Sequence, residues 1–113
     1  ASLYGIGMFT ALKSLDVSGQ TRLTELDLSK NAALTVLVCD NTSLKTLDLR
    51  NCPVLVSLYA QNTSLESLDL TRNPALKEAY LSNSPIKTLY LTPAQKSTLS
   101  LTCAPDTQIV IVD

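Results

Sequence analysis

A phrase of the form Leu-x-x-Leu-x-Leu recurs eight times in this chain and constrains its fold more than any other feature. Successive phrases begin 10 or 11 residues apart, so that pairs of phrases recur about every 21 residues. The phrases begin at Leu12, Leu23, Leu34, Leu44, Leu55, Leu65, Leu76 and Ile86. A unit this short cannot bury its apolar side chains alone, and it has to stack on its neighbours around one continuous core. The sequence therefore predicts an elongated repeat protein.

Three sets of non-leucine residues repeat with the same register. Two of these columns contain mainly asparagine: Asn31, Cys52 and Asn73 in one, and Asn41, Asn62 and Asn83 in the other. An asparagine amide that is buried in a turn can hydrogen-bond backbone groups of its own coil and of the next coil. We therefore predict that both columns form structural ladders with buried amides. The third column consists of Asp27, Asp48 and Asp69.

Together the phrase and the following Asn or Cys form Leu-x-x-Leu-x-Leu-x-x-Asn/Cys, and residues 12–92 thereby resemble the leucine-rich repeat family. One unit holds two phrases, the second reading Leu-Asp-Leu, and the segment Leu34–Val54 fits best. This nested form resembles a subclass common in secreted and surface proteins of Bacteroidetes-type Gram-negative bacteria. The resemblance implies a non-catalytic interaction module that is secreted or anchored at the cell surface.

Within each phrase apolar and polar residues alternate, as in Ser14-Leu15-Asp16-Val17-Ser18, which is typical of a short strand with one buried face. No phrase has the 3.6-residue apolar periodicity of a long helix. The sequence thus predicts a β-rich solenoid of about four coils, with two short parallel strands in each coil and few or no helices.

The two ends depart from the repeat. Leu3, Ile6 and Met8 repeat the phrase spacing, so residues 1–11 are predicted to form a degenerate half-coil or cap, with an irregular strand near Gly5 and Gly7. Residues 93–113 are assigned to a C-terminal cap. This cap should contain one helical turn that starts at Pro93 with Thr92 as N-cap, a turn at 104–107, and a final β-branched strand at 108–112.

Composition narrows the function further. The chain lacks histidine, has only three glycines, and carries a net charge of −1 without any basic run. These features speak against a histidine-based catalytic relay, a phosphate-binding loop and a nucleic-acid partner. No segment has the length of apolar sequence that a transmembrane helix needs. We expect neither enzymatic activity nor a cofactor nor a metal site, although Ca²⁺ binding by the aspartate column stays open.

Cys39, Cys52 and Cys103 have irregular spacing, and we expect them to be three free thiols.

The outward residues of the first strand in each unit indicate where a partner could bind. Stacking should bring Val36, Val38, Tyr59 and Tyr80 into one apolar and aromatic patch, rimmed by the polar residues Asp40, Gln61 and Glu78. Exposed patches with polar rims mark interaction surfaces, and tyrosine is favoured in them. The partner could be a protein or a glycan. Two alternatives remain: the tyrosines could only stabilise the sheet by cross-strand pairing, and the domain could be a spacer in a larger surface protein.

Overall fold

The computed structural model describes residues 6–113, which form a parallel β-solenoid of about five coils with almost no helix. This is the fold class that the repeat predicts. The elements in chain order are β1 (Ser14–Asp16), β2 (Val36–Val38), β3 (Ser57–Tyr59), β4 (Ser67–Asp69), β5 (Glu78–Tyr80), β6 (Thr88–Leu91), α1 (Pro93–Thr98), β7 (Ser100–Thr102) and β8 (Gln108–Ile111).

A five-stranded parallel sheet follows the first phrase of every coil, in the order β1-β2-β3-β5-β7. Its central residue always points into the core: Leu37 pairs with Leu58, and Leu58 pairs with Ala79. The residues on either side of it point outward, because side chains alternate across a strand. β7 adds one coil to the four expected, since residues 99–102 continue the sheet although they lack the full leucine phrase.

A second parallel sheet, in the order β4-β6-β8, follows the Leu-Asp-Leu phrases. It includes only the last three coils, whereas the sequence predicts a second strand in every coil. In the first two coils the Leu-Asp-Leu segments are not strands, and Glu25 forms only an isolated bridge. Pairing is continuous on the first sheet and interrupted here, although the backbone N–H groups of Ser43 and Ser64 still donate to the carbonyls of Leu23 and Leu44 in the preceding coils.

Leucine columns fill the space between the sheets. Leu34, Leu37, Leu55, Leu58 and Leu65 are entirely inaccessible to solvent. Burying a leucine side chain contributes about 2 kcal/mol, and the repeat places several such side chains in each coil. The core therefore needs almost no aromatic residues, in agreement with the four tyrosines and one phenylalanine of the sequence.

At the C-terminal end, α1 begins as the sequence predicts. The Thr92 side chain accepts a hydrogen bond from the backbone N–H of Gln95, and the Gln95 side chain accepts one from the backbone N–H of Thr92. This reciprocal capping box satisfies two amides at the start of a helix. The predicted final strand is β8, whose Ile109 and Ile111 pair with the buried Leu89 and Leu91.

Ile109 and Ile111 are nevertheless 41% and 38% exposed, since no further coil covers this end of the described structure.

At the N-terminal end, Ile6–Met8 form a 3₁₀ helix instead of the irregular strand that the glycines suggested. Met8 and Phe9 are exposed, while the carbonyls of Ile6 and Phe9 accept hydrogen bonds from the Asn31 side chain. Backbone N–H groups of Phe9 and Leu12 bond to carbonyls three residues earlier, which favours tight turns over an extended chain. Leu3 and Gly5, which the predicted half-coil includes, lie outside the described residues.

Candidate functional site

The patch predicted from Val36, Val38, Tyr59 and Tyr80 lies on the outer face of the five-stranded sheet. We call it the tyrosine face. Tyr59 and Tyr80 are register partners on β3 and β5, and Val38 is the partner of Tyr59 on β2. The two rings stack with centroids 5.0 Å apart and an interplanar angle of 20°. All four side chains are half-buried, so the patch is a flat surface of close-packed rings and methyl groups.

Glu78 lies within this face, where the sequence placed it on the rim. Its Oε1 accepts hydrogen bonds from the hydroxyls of Ser57, at 2.8 Å, and Tyr59, at 3.0 Å. Its Oε2 accepts a third from the Tyr80 hydroxyl at 3.2 Å. These bonds come mainly from Ser57 and Tyr59 and lower the pKa of Glu78, so the group is a carboxylate at neutral pH. The same bonds raise the pKa of both tyrosines, and they fix both rings in one orientation.

The strand positions that point outward on the tyrosine face carry only acidic charges. Among the outward positions of β1, β2, β3, β5 and β7, the charged residues are Asp16 and Glu78. Asp40 follows β2 at the edge of the face, where its Oδ1 accepts a hydrogen bond from the Gln61 backbone N–H at 2.7 Å. Its charge contributes to the raised pKa of Tyr59, which places it within electrostatic reach of that ring. Lys13 and Lys77 are exposed directly before β1 and β5, so the three acidic side chains on and beside these strands outnumber the two basic ones.

A buried polar column crosses the turns on the other side of the core. The Asn73 amide Nδ2 donates to the backbone carbonyls of Leu49 and Cys52, both at 3.0 Å, and Asn73 is inaccessible to solvent. The Asn31 amide bonds the Ile6 and Phe9 carbonyls in the same way. Each amide thus reaches back to the preceding coil and joins the two coils.

Cys52 occupies the middle of this column with longer contacts, from its Sγ to the Asn31 carbonyl at 3.6 Å and the Leu28 carbonyl at 3.9 Å. Gln95 is a fourth member that the sequence analysis missed, and it donates to the Leu70 and Asn73 carbonyls from α1. Its position 22 residues after Asn73 was the available signal. The longer side chain reaches the same carbonyls from a helix instead of a turn.

Asn41, Asn62 and Asn83 do not have the buried amides that we expected. All three are exposed, and their backbone adopts positive φ angles of 60°, 56° and 59°. Gly19 holds the equivalent position in the first coil with φ 79°. Asparagine and glycine tolerate this left-handed region better than other residues. The column repeats because the turn needs that conformation, and the Asn62 amide also donates to Asn41 Oδ1 at 3.0 Å.

The aspartate column terminates the Leu-Asp-Leu segments. Each carboxylate accepts a hydrogen bond from the backbone N–H two residues later: Asp27 from Ser29, Asp48 from Arg50 and Asp69 from Thr71. These bonds are Asx turns, which redirect the chain after a strand. In the described residues no group of three or more acidic, cysteine or histidine side chains converges as a metal site would require.

Asp48 also forms a two-pronged ion pair with Arg50, with Nη2 2.8 Å from Oδ2. Both side chains are more than half exposed, so the pair adds little stability. It borders a shallow groove of about 240 Å³ between the second and third coils, lined also by Asp69 and Tyr90. The groove marks the region where the second sheet is interrupted.

All three cysteines are free thiols in the structure. Cys39 is buried in the core beside β2, and burial raises the pKa of its thiol to about 12. Cys52 is buried in the polar column, and Cys103 is half-buried in the last coil.

Comparison with known proteins agrees with the fold. A sequence model of the family described as Leucine Rich repeat matches residues 40–54 and 61–76, which together make up less than a third of the chain. The matched segments are therefore similar to leucine-rich repeats, and the parallel β-solenoid matches the fold of a leucine-rich repeat domain. Such domains generally mediate interactions and are generally non-enzymatic. A search of curated proteins gives no significant match.

One solved structure with the same fold is described as the functional domain of InlJ from Listeria monocytogenes, which includes a cysteine ladder. It superposes with a TM-score of 0.75 over 99% of this chain, at 22% sequence identity. The chain spans 29% of the length of that protein chain. Among the described residues of our protein, no helix is long and apolar enough to cross a membrane.

Proposed function

We propose that this protein is a non-catalytic interaction module that binds a protein or a glycan through the tyrosine face. The observation that carries the proposal is the stacked pair Tyr59 and Tyr80, which is held rigid by Glu78 on an otherwise open sheet. A tyrosine loses little conformational entropy on binding, because it has few rotatable bonds and its ring offers a large contact area. Here the stacking and the hydroxyl contacts restrict the rings before any partner arrives.

The opposite face offers less to a partner. Its outward residues are mainly the aspartates of the Asx turns and hydroxyl side chains, with Tyr90 as the exposed aromatic residue. Apolar contact area is therefore concentrated on the tyrosine face, and aromatic residues are enriched where binding energy is concentrated.

We further propose that the module acts outside the cytoplasm, as a secreted or surface-anchored protein of a Gram-negative bacterium. This part rests on the resemblance of its nested 21-residue unit to Bacteroidetes-type surface repeats. The solved structure of similar fold also comes from a bacterium.

A second candidate is a structural spacer that has no ligand of its own. The cross-strand pairing of the tyrosines favours it, since Tyr59 and Tyr80 are register partners on β3 and β5 and stack on each other. A spacer would use its coils for length, and the tyrosine pair would only stabilise β3 against β5.

The test is a binding screen against immobilised glycans and extracellular proteins, with the wild type compared to Tyr59→Ser/Tyr80→Ser. We expect the double variant to lose at least tenfold in affinity, about 1.4 kcal/mol, while circular dichroism and thermal melting show that the fold is kept. Asp27→Asn/Asp48→Asn, on the opposite face, is the matched control and should bind normally. A ligand that binds the double variant as tightly as the wild type would show that the binding face is elsewhere. If the wild type binds nothing in the screen, the spacer is favoured.

A further inference from the structure

We propose that the partner is a protein segment bearing arginine or lysine, whose cationic head lies beside the tyrosine stack and pairs with the carboxylates of Asp40 and Glu78. This inference rests on the proposed function and specifies the chemistry of its ligand. Three observations carry it: the sign of the charge around the rings, the engagement of both tyrosine hydroxyls, and the two valines beside the rings.

Charge is the first of these observations. Asp16, Asp40 and Glu78 lie on or at the edge of the face, and they outnumber the two exposed lysines that directly precede β1 and β5, Lys13 and Lys77. Glu78 stays ionised because three hydroxyls donate to it. An anionic partner would be repelled, whereas a cationic one would be attracted during approach and after docking.

The hydroxyl contacts are the second observation, and they favour a cation over a sugar. Tyr59 and Tyr80 both direct their hydroxyl protons to Glu78. These donors are then occupied, and the polar groups that stay available at the rings are the acceptor oxygens of Glu78. Sugar hydroxyls need donors as well as acceptors around them, whereas a guanidinium or ammonium group only donates and needs only carboxylate acceptors. Glu78 Oε2 accepts only one of the three bonds described, so it retains acceptor capacity toward such a group.

The third observation concerns the aliphatic part of the partner. Val36 and Val38 are half-buried and continue the face beside the Tyr59 ring. The methylene stem of an arginine or lysine packs on apolar surface while its head stays among polar groups. A segment with a small aliphatic residue next to a basic residue therefore matches the valines and the tyrosines together.

The experiment titrates synthetic dodecapeptides into ¹⁵N-labelled protein and follows the amide chemical shifts. The peptides share a Gly-Ser framework and differ in a central Arg-Leu-Arg, Lys-Leu-Lys, citrulline-Leu-citrulline or Glu-Leu-Glu core. We expect the arginine peptide to bind most tightly and to shift the amides of Val38, Tyr59 and Tyr80. The neutral citrulline peptide should bind at least about fivefold more weakly and the glutamate peptide should cause no shifts. Raising the salt concentration should weaken the binding of the arginine peptide, because salt screens the charges of exposed carboxylates.

Two variants separate this inference from the proposed function. Asp40→Asn should lower the affinity for the arginine peptide several-fold and leave the affinity for the citrulline peptide unchanged. Asp48→Asn, on the opposite face, should alter neither affinity. Equal binding of the arginine, citrulline and glutamate peptides, shifts elsewhere on the solenoid, or no binding at all would overturn the basic-partner inference. One further result would also overturn the basic-partner inference: a glycan that binds the wild type and Asp40→Asn but does not bind Tyr59→Ser/Tyr80→Ser. That result would leave the proposed function intact.

Discussion

Asn73→Ala tests how the coils are joined. The Asn73 amide is buried and donates two hydrogen bonds to the preceding coil, to the carbonyls of Leu49 and Cys52 at 3.0 Å each. Alanine removes both of these donors, while each carbonyl keeps one backbone partner: the Cys52 N–H donates to Leu49 and the Leu55 N–H donates to Cys52. The structure therefore predicts a loss of stability that does not depend on the leucine core.

The expected magnitude follows from these contacts. A hydrogen bond contributes about 0.5–1.5 kcal/mol to stability, and the substitution removes two of them without leaving either carbonyl unpaired. Part of this cost is offset, because Asn73 Oδ1 has no hydrogen-bond partner in the described structure and its removal relieves a buried unsatisfied acceptor. We expect a net loss of about 1–2 kcal/mol in the free energy of unfolding. This is a measurable part of the roughly 5–15 kcal/mol that is typical of a whole domain.

Equilibrium urea unfolding, followed by circular dichroism, measures this loss directly as a shift of the midpoint. Asn73→Cys is the matched comparison, since the chain itself has a cysteine at the equivalent position of the preceding coil, Cys52. A thiol donates more weakly and over longer distances, so this variant should fall between wild type and Asn73→Ala. If Asn73→Ala changes the free energy of unfolding by less than about 0.5 kcal/mol, the buried amide does not join the coils as argued.

Three further predictions concern other positions. Asn62→Ala should cost about 1 kcal/mol because alanine resists a positive φ, whereas Asn62→Gly should melt within error of wild type; equal melting temperatures for both variants would contradict the backbone explanation. The lowered pKa of Glu78 means that it binds fewer protons when folded, so its stabilising effect is present above the ordinary glutamate pKa and is lost as acid protonates the folded group. Glu78→Gln should therefore make the melting temperature fall less between neutral and acidic pH than it does in the wild type. An unchanged dependence of the melting temperature on pH would refute this role. Native Cys39, with its thiol pKa raised to about 12, should resist alkylation at pH 8 far longer than the half-buried Cys103, as mass spectrometry of modified peptides can show.

The two asparagine columns show why sequence reasoning succeeded for one and failed for the other. Both repeat every 21 residues, and both suggested the same buried ladder. In the structure only the column that contains Asn31 and Asn73 is buried, whereas Asn62 is exposed with its backbone in the left-handed region. Asparagine is selected by either environment, for its amide in one and for its tolerance of positive φ in the other, so periodicity alone could not separate them.

The sequence by itself determined the solenoid, its leucine core and the residues that share the tyrosine face. These follow from periodicity, because a spacing that repeats every coil forces equivalent side chains into neighbouring positions on stacked strands.

Only the tertiary structure decided where the second sheet is interrupted, that Gln95 completes the buried column from a helix, and that Glu78 lies between two tyrosine hydroxyls. Each of these depends on distances between coils and on the reach of a particular side chain. Such distances are set by the packing of the whole stack, and no single repeat encodes them.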